Sequence, residues 1–384
     1  MKKPLFILAM TTLLVGATAL ANTIKIASVS PLSGSQAGLG ETIKLGAQLA
    51  VEEAAPWFKE RGINLVFVPQ DDQASPDVGV AVARRLVNDD AVLGVVGHLN
   101  SGVAIPASEV YKEYNLTMVS PANTNPQITE RRYPNVNRIC GRDDIQGPVG
   151  AEFAVNDLGA KKVYIIHDKT AYGQGVAETF RAKALALGAQ VVGFDGTEER
   201  SNFNLLIQRM RIMRPDVIYF GGMFDQGGVL LKQLRERKVE AIFIGPDAMD
   251  SSELVKIAQD AVIGAYYTTV AGPVELFPAA KSFSERYLAK FNRPAESYAL
   301  YAFDSAQVFI EAIKKLVEAN PDAVPARADV AAAVRQVAFD GITGSIAFDD
   351  KGDRLRSDYY VIKFETAAYP GKTVKSITAS PSGD

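Results

Sequence analysis

A histidine, an asparagine and a serine stand close together in the stretch GHLNSGVAIPAS, which covers residues 97–108. The apolar residues 91–96 before it are typical of a buried strand, so His98, Asn100 and Ser101 lie at the carboxyl end of that strand. A histidine beside a serine suggests nucleophilic catalysis. Hydroxyl, amide and backbone N–H groups together suggest instead a polar cup that holds a ligand without changing it.

The patterns expected of an enzyme are missing around these residues. Ser101 does not lie in a G-x-S-x-G elbow, and the sequence identifies no third residue that would orient His98. The chain has 2 histidines and 1 cysteine, so a metal site built on His98 and His167 is not expected. The stretches GLGETI and GQGVAE lack the third glycine of a dinucleotide-binding motif. We therefore expect no catalysis, no cofactor and no metal, a structural role for His98, and a solvated turn at Asp71–Asp72.

Short apolar runs alternate with amphipathic stretches along the chain. The runs are continuously apolar, which is typical of parallel strands covered by helices on both faces. We therefore predict an α/β fold with two doubly wound parallel-sheet lobes joined by a multi-strand hinge. The predicted strands lie near residues 24–29, 63–68, 92–96, 116–119, 162–166, 190–194, 216–220 and 241–244. The predicted helices lie near residues 41–54, 76–88, 106–114, 145–158, 174–187, 203–213, 225–237, 278–291 and 299–318.

The final third of the chain predicts more than one passage between the lobes, because its two helical segments need a lobe to pack against. The predicted N-terminal lobe comprises residues 22–142 and 270–354, and the predicted C-terminal lobe comprises residues 143–269 and 355–384. Two strand-like segments, 345–348 and 359–364, flank a turn at 349–353. The tail from Ser376 has the composition of a frayed end.

The first 21 residues have the features of a secretory signal peptide. Two lysines precede an apolar stretch from Leu5 to Leu20, which ends in a small-x-small site. We expect cleavage after Ala21 and an exported, soluble protein, since no cysteine follows that site to carry a lipid. A formal net charge of -3 without a long basic stripe argues against nucleic acid as a partner. Cys140 is the single cysteine, so no intrachain disulfide can form.

Polar residues follow several of the predicted strands, where parallel α/β sheets bind their ligands. Ser101 and Thr124 provide hydroxyl groups in the first half of the chain, and the backbone around Ala122 adds N–H donors. Such donors at the start of a helix suit a carboxylate. The second half provides Asp247 and the ring of Tyr172. An acid that faces a carboxylate cup across a cleft is complementary to the zwitterion of an α-amino acid.

The chain resembles the periplasmic branched-chain amino-acid-binding proteins, the type I solute-binding receptors of ABC importers, over about residues 23–365. The resemblance is carried, in family order, by GHLNSGVAIPASEVY, SPANTNPQIT, CGRDDIQGP, IIHDKTAYGQG, YFGG and GPDAMDS. It implies a periplasmic receptor that closes around an amino acid and delivers it to the membrane permease of an ABC importer. We expect a monomer.

The resemblance also implies roles for single residues. Ser101, Ala122 and Thr124 match the positions that hold the ligand's carboxylate and ammonium. Asp247 matches the acid that pairs with the ammonium, although the best-known members have glutamate there. Tyr172 matches the tyrosine that closes over the ligand from the other lobe.

Three positions depart from the family pattern in ways that bear on specificity. Leu39 replaces an aromatic residue, Met223 replaces a tyrosine, and Asn100 replaces a disulfide cysteine and adds a polar contact. We expect a branched-chain or small aliphatic amino acid as ligand. The alternatives are a receptor of the same fold for another small carboxylate, amide or urea, a receptor that serves a sensor, and a secreted α/β enzyme. Asp247 discriminates among the receptors, because a ligand without an amine would leave this carboxylate unpaired.

Overall fold

The computed structural model describes residues 22–381, in which strands alternate with helices and form two large sheets. The predicted α/β fold with two lobes is confirmed. The predicted signal peptide lies outside the described residues. Within residues 22–381, no helix has both the length and the apolar character needed to cross a membrane.

The N-terminal lobe is built on a five-stranded parallel sheet. Its strands are β1 (Asn22–Ser30), β2 (Ile63–Asp71), β3 (Val92–Gly97), β4 (Thr117–Ser120) and β5 (Val136–Arg138), in the spatial order β2-β1-β3-β4-β5. The helices between them are α1 (Ala37–Lys59), α2 (Pro76–Val87), α3 (Ser101–Glu113) and α4 (Gln127–Glu130). Every residue of β3 and β4 is buried, which accounts for the uninterrupted apolar sequence of β3, whereas β4 begins and ends with the buried hydroxyl residues Thr117 and Ser120.

The C-terminal lobe begins with a second series of parallel strands. These strands are β6 (Lys162–His167), β7 (Gln190–Gly196), β8 (Val217–Gly221), β9 (Ile242–Gly245) and β10 (Tyr266–Thr269). The helices of this series are α5 (Asp143–Glu152), α6 (Ala171–Ala186), α7 (Asn204–Met213), α8 (Phe224–Glu236) and α9 (Ser252–Ala258). The strands again place the residues that follow them at one edge of the sheet.

The final third of the chain contributes to both lobes. Its elements are α10 (Ala280–Phe291), α11 (Ser297–Ala319), α12 (Arg327–Arg335), β11 (Ala338–Gly341), β12 (Gly344–Ala347), β13 (Ser357–Lys363) and β14 (Lys372–Ala379). Helix α11 packs along α1, and Gly46 permits this approach because a Cβ there would lie 2.2 Å from the carbonyl oxygen of Ala299. Strand β13 joins β10 in antiparallel orientation, which completes the order β14-β13-β10-β9-β8-β6-β7. Strand β12 pairs with β11, so the two strand-like segments around the turn at 349–353 do not pair with each other.

The tail is ordered where the sequence predicted fraying. Strand β14 includes residues 376–379 and pairs antiparallel with β13. The Thr378 hydroxyl also donates to the Asp358 carboxylate. The frayed-end prediction is therefore wrong for these residues, because small polar side chains at a sheet edge still gain the backbone hydrogen bonds of the ladder.

The chain passes between the lobes in three places, after β5, after β10 and between β12 and β13. A buried ion-pair cluster lies at these passages. Arg138 Nε donates to Asp353 at 2.5 Å, and Arg142 Nη1 donates to the other oxygen of Asp353 at 2.6 Å. Burial raises the pKa of Asp353, but the two arginines lower it more, so it lies below its usual value. These passages agree with a multi-strand hinge, and the boundaries at 142, 270 and 354 stay a prediction.

Candidate functional site

Asn100 and Ser101 stand where β3 leads into α3. Ser101 is the first residue of the helix, and Asn100 is its N-cap residue without a side-chain capping bond. Asn100 Nδ2 donates instead to Gln36 Oε1 at 2.8 Å. Ser101 is buried, and its Oγ accepts from the backbone N–H of Asn125 at 3.4 Å. The N–H groups of the first turn therefore have no side-chain cap, which suits a bound anion.

His98 belongs to a buried hydrogen-bond network that it forms with Asp72 and Tyr111. Its Nδ1 lies 2.8 Å from Asp72 Oδ2, and its Nε2 lies 3.2 Å from the Tyr111 hydroxyl. Both ring nitrogens thus have partners other than Ser101, as predicted for a structural histidine. The solvated turn predicted at Asp71–Asp72 is wrong for Asp72, which is fully buried. Burial of this carboxylate follows from its contact with His98, which lies 26 residues away in the chain.

The loop after β4 carries Ala122 and Thr124. Asn123 fixes the conformation of this loop through two hydrogen bonds to the segment after β3. Its Oδ1 accepts from the backbone N–H of His98 at 3.0 Å, and its Nδ2 donates to the carbonyl of Leu99 at 2.9 Å. Thr124 is fully buried, and its Oγ1 makes no hydrogen bond of normal length among the described residues, although the Asp143 carboxyl lies nearby. Leaving a buried hydroxyl unpaired is costly, so this group is available to a ligand.

Asp247 follows β9 and accepts three side-chain hydrogen bonds. Tyr172 OH donates to its Oδ1 at 2.6 Å, and Gln146 Nε2 donates to the same oxygen at 3.0 Å. Tyr298 OH donates to Oδ2 at 2.5 Å. Burial raises the pKa of Asp247 above its usual value, and the three donors offset this only in part. Tyr298 lies in α11, so its bond to Asp247 joins the two lobes.

Asp143 is a second buried acid of this region, for which the sequence predicted no role. It opens α5, and its backbone N–H donates to the carbonyl of Thr124 at 2.9 Å. Its carboxylate oxygens make no hydrogen bond of normal length within the described residues, although the Thr124 hydroxyl lies near enough to lower the pKa of this carboxyl. Burial and the charge of Asp247 outweigh that effect and raise the pKa of Asp143 well above its usual value. The sequence contained a sign of this role, because Asp143 and Gln146 both lie in CGRDDIQGP, one of the stretches that carry the family resemblance.

One small cavity between the lobes, called the inner cavity below, brings most of the predicted residues together. Its wall consists of Leu39, Leu99, Asn100, Ala122, Tyr172, Met223, Asp247, Ala248 and Tyr298. Ser101 and Thr124 are not part of this wall, but they lie one and two residues from Asn100 and Ala122. The inner cavity has a volume of about 10 Å³, room for roughly one water molecule. An amino acid therefore requires the lobes to separate or the two tyrosines to leave Asp247.

Leu39 and Met223 provide apolar wall from opposite lobes. Leu39 lies in α1, and Met223 directly precedes α8. Both side chains are buried, and Leu99 and Ala248 lie beside them in the same wall. The two departures from aromatic residues thus leave this part of the wall apolar and without an aromatic ring.

Comparison with known proteins agrees with this architecture. The family model described as "Periplasmic binding protein" matches residues 23–369. An amino acid binding protein of Pseudomonas aeruginosa is 37% identical over 350 residues, with 90% of this chain and 91% of the relative covered. A leucine-, isoleucine-, valine-, threonine-, and alanine-binding protein of the same organism is 34% identical, with 91% of each chain covered. The crystal structure of a leucine binding protein from Thermotoga maritima superposes with a TM-score of 0.83 at 26% identity and covers 92% of this chain and 98% of its own. This chain belongs to the periplasmic binding protein family.

Proposed function

We propose that the protein captures an α-amino acid between its lobes and delivers it to the membrane permease of an ABC importer. The observation that carries the proposal is the pairing of opposite chemistries across the inner cavity. The uncapped start of α3 lies on one side, and the buried carboxyl of Asp247 lies on the other. These two groups are complementary to the carboxylate and the ammonium of a zwitterion.

The carboxylate of the ligand would lie at the N-terminal lobe. Ser101 Oγ and the N–H groups of the first turn of α3 would donate to it, together with the backbone near Ala122. Thr124 Oγ1, which makes no hydrogen bond of normal length among the described residues but lies near the Asp143 carboxyl, completes this set. Each of these donors is neutral, so they hold the anion without a buried counter-charge.

The ammonium of the ligand would lie at Asp247. Asp143, whose backbone N–H donates to the carbonyl of Thr124, would provide a second acid near the ammonium. Burial is the largest cause of the high pKa of Asp143, and repulsion by the charge of Asp247 adds to it. A cation beside them relieves that repulsion, so both carboxylates favour an amine over an uncharged group. Tyr172 and Tyr298 donate to Asp247 in this closed conformation. The ammonium would replace these hydroxyl groups as the hydrogen-bond donor to Asp247.

The ligand is a branched-chain or small aliphatic amino acid. The aliphatic wall formed by Leu39, Leu99 and Met223 favours such a side chain. The name of the Pseudomonas aeruginosa relative, which includes leucine and alanine, supports the same class. The ligand is bound without being changed, because His98 is engaged by Asp72 and Tyr111 and does not activate Ser101.

Closure of the lobes is the step that ligand binding drives. Besides the bond from Tyr298, Ser35 Oγ donates to Asp225 at 2.5 Å and Asn125 Nδ2 donates to the carbonyl of Ala171 at 2.7 Å. A ligand that contacts both lobes binds the closed form more tightly and shifts the population toward it. The mature protein, cleaved after Ala21, acts in the periplasm as a monomer.

A thermal-shift screen followed by calorimetry tests this proposal. The common amino acids and γ-aminobutyrate are compared, and aliphatic amino acids should raise the melting temperature by mass action. The matched control is the α-hydroxy acid analogue of leucine, which keeps the carboxylate and the side chain but lacks the amine. A response to the hydroxy acid equal to that of leucine would favour a receptor for other carboxylates. No response to any amino acid, or turnover of a bound one overnight, would contradict the proposal.

A further inference from the structure

A second, larger cavity lies between the lobes beside the inner cavity and has a volume of about 620 Å³. We call it the outer cavity. Its wall includes Ser33, Gln36 and Gln73 of the N-terminal lobe and Lys169, Thr170 and Arg200 of the C-terminal lobe. Asn100 and Tyr172 belong to the walls of both cavities. A volume of this size lies within the range of small-molecule binding sites.

Two side chains of the outer cavity's wall are cationic. No aspartate or glutamate of residues 22–381 belongs to the wall itself, although the carboxylates of Asp71 and Asp225 accept hydrogen bonds from the wall residues Ser33 and Ser35. Lys169 Nζ has an exposed partner, Glu198, at 3.4 Å, which neutralises little of its charge. Arg200 uses Nη1 to bind Asp225 at 2.9 Å, and its remaining N–H groups stay available.

The polar side chains of the N-terminal lobe add hydrogen-bonding groups to this positive wall. Gln36 directly precedes α1, and Asn100 directly precedes α3, so two helices begin at the outer cavity without a side-chain cap. The partial positive charge of a helix N-terminus adds to that of the cationic side chains. Pro76 and Val103 add apolar surface to the wall, but a carboxylate gains charge-assisted hydrogen bonds there that an aliphatic side chain cannot make.

We propose that the binding site extends from the inner into the outer cavity and that its ligands include amino acids whose side chain ends in a carboxylate. This inference rests on the proposed function, since the inner cavity must hold the α-amino and α-carboxylate groups. The side chain of the ligand would extend from the inner into the outer cavity past Asn100, which belongs to both walls and donates a hydrogen bond to Gln36 in the outer one. Its terminal carboxylate would lie between Lys169 and Arg200.

Such a ligand would also contribute to closure of the lobes. Lys169 and Arg200 belong to the C-terminal lobe, whereas Gln36 and Gln73 face them from the N-terminal lobe. A carboxylate in the outer cavity contacts both sides at once and therefore favours the closed form. The length of the side chain decides whether this contact is made, so glutamate and 2-aminoadipate should bind more tightly than aspartate.

Calorimetry with leucine, aspartate, glutamate and 2-aminoadipate tests the inference on the mature protein. The variants are Lys169→Gln, Arg200→Gln and the double variant. The matched control is Arg211→Gln, which removes an exposed charge of the same lobe outside the cavity. In the double variant, the affinity for 2-aminoadipate relative to leucine should fall about tenfold or more, in line with the loss of two charge-assisted contacts. Arg211→Gln should leave that ratio as it is.

The outcomes separate this inference from the proposed function. If leucine binds but the acidic amino acids do not, the extended site is wrong and amino-acid capture stands. The same holds if the acidic amino acids bind and the double variant leaves the affinity ratio unchanged. If no amino acid binds the wild-type protein, the proposed function itself fails.

Discussion

The two lobes bring different chemistry to the inner cavity and its immediate surroundings. The N-terminal lobe provides neutral groups, the hydroxyls of Ser101 and Thr124 and the backbone of α3. The C-terminal lobe provides the buried acids Asp143 and Asp247, whose pKa values are raised by burial. Fixed dipoles keep their strength across the pH range, whereas the charge of a buried acid depends on pH and on its neighbours. Substitutions in the two lobes should therefore differ both in size and in pH dependence.

The largest effect is expected at Asp250, a buried acid of the C-terminal lobe that accepts hydrogen bonds from Tyr369 and Thr269. Burial raises the pKa of Asp250 to about 7, and the charge of Glu296 adds to the rise. The folded state thus binds this proton more tightly than the unfolded state, so stability falls as pH rises from about 4 to about 7 and then levels off. A rise from 3.8 to about 7 corresponds to about 4 kcal/mol at most.

Urea unfolding of wild type and Asp250→Asn between about pH 4 and pH 8 measures this effect. The difference in unfolding free energy should shift in favour of the variant as pH rises, because the amide has no charge to bury. Asp260→Asn, at an exposed position of the same lobe, is the control. An identical dependence of the unfolding free energy on pH for wild type and Asp250→Asn would show that ionisation of Asp250 does not affect stability.

Asp247→Ala should weaken amino-acid binding by about 30-fold or more, or about 2 kcal/mol, because the ammonium would be buried without its counter-charge. Calorimetry with leucine measures the loss, and a melting curve of the variant verifies its fold. The α-hydroxy analogue of leucine is the control ligand, since its affinity should not depend on Asp247 in the same way. A loss of leucine affinity well under tenfold would contradict the assignment of the ammonium to Asp247.

The strand ends are the part of the site that sequence could predict. Ser101, Tyr172 and Asp247 each follow an apolar run, and the carboxyl ends of parallel strands share one edge of a sheet. Local pattern was therefore enough to place these residues at the cleft. The same reasoning predicted the alternation of strands and helices that builds both lobes.

The contacts that depend on distant segments could not be predicted. Asp143 reaches Thr124 only because the chain passes between the lobes just before α5, and Tyr298 reaches Asp247 from a helix that returns to the other lobe. Asp72 was expected in solvent, because two acids in a loop are usually solvated, whereas its burial requires His98 from another strand. The order of β14 likewise depends on its partner strand. Each of these outcomes depends on tertiary contacts between distant segments, which produce no local pattern in the sequence.

Asp143→Asn should lower leucine affinity about tenfold, which is of the order of one hydrogen bond to a charged group. The same change should stabilise the ligand-free protein at about pH 8, since an amide at this site replaces a carboxyl that burial and Asp247 disfavour in its charged form. Calorimetry and urea unfolding on one preparation measure the two effects. Opposite signs are expected because the residue contributes to binding at the expense of stability. A variant that loses both affinity and stability would indicate a structural role for Asp143 instead.

Ser101→Ala should have the smallest effect, a loss of leucine affinity of about fivefold, the value of about 1 kcal/mol for one neutral hydrogen bond. The remaining N–H donors of α3 still hold the carboxylate, and the hydroxyl removed has no charge. The loss should therefore be the same at about pH 6 and about pH 8. Ser108→Ala is the control, because Ser108 lies in the same helix and donates to the carbonyl of Ile105 outside the inner cavity. If Ser101→Ala lost as much affinity as Asp247→Ala, or lost it in a pH-dependent way, the carboxylate would not be held by neutral groups alone, and the contrast between the lobes would not hold.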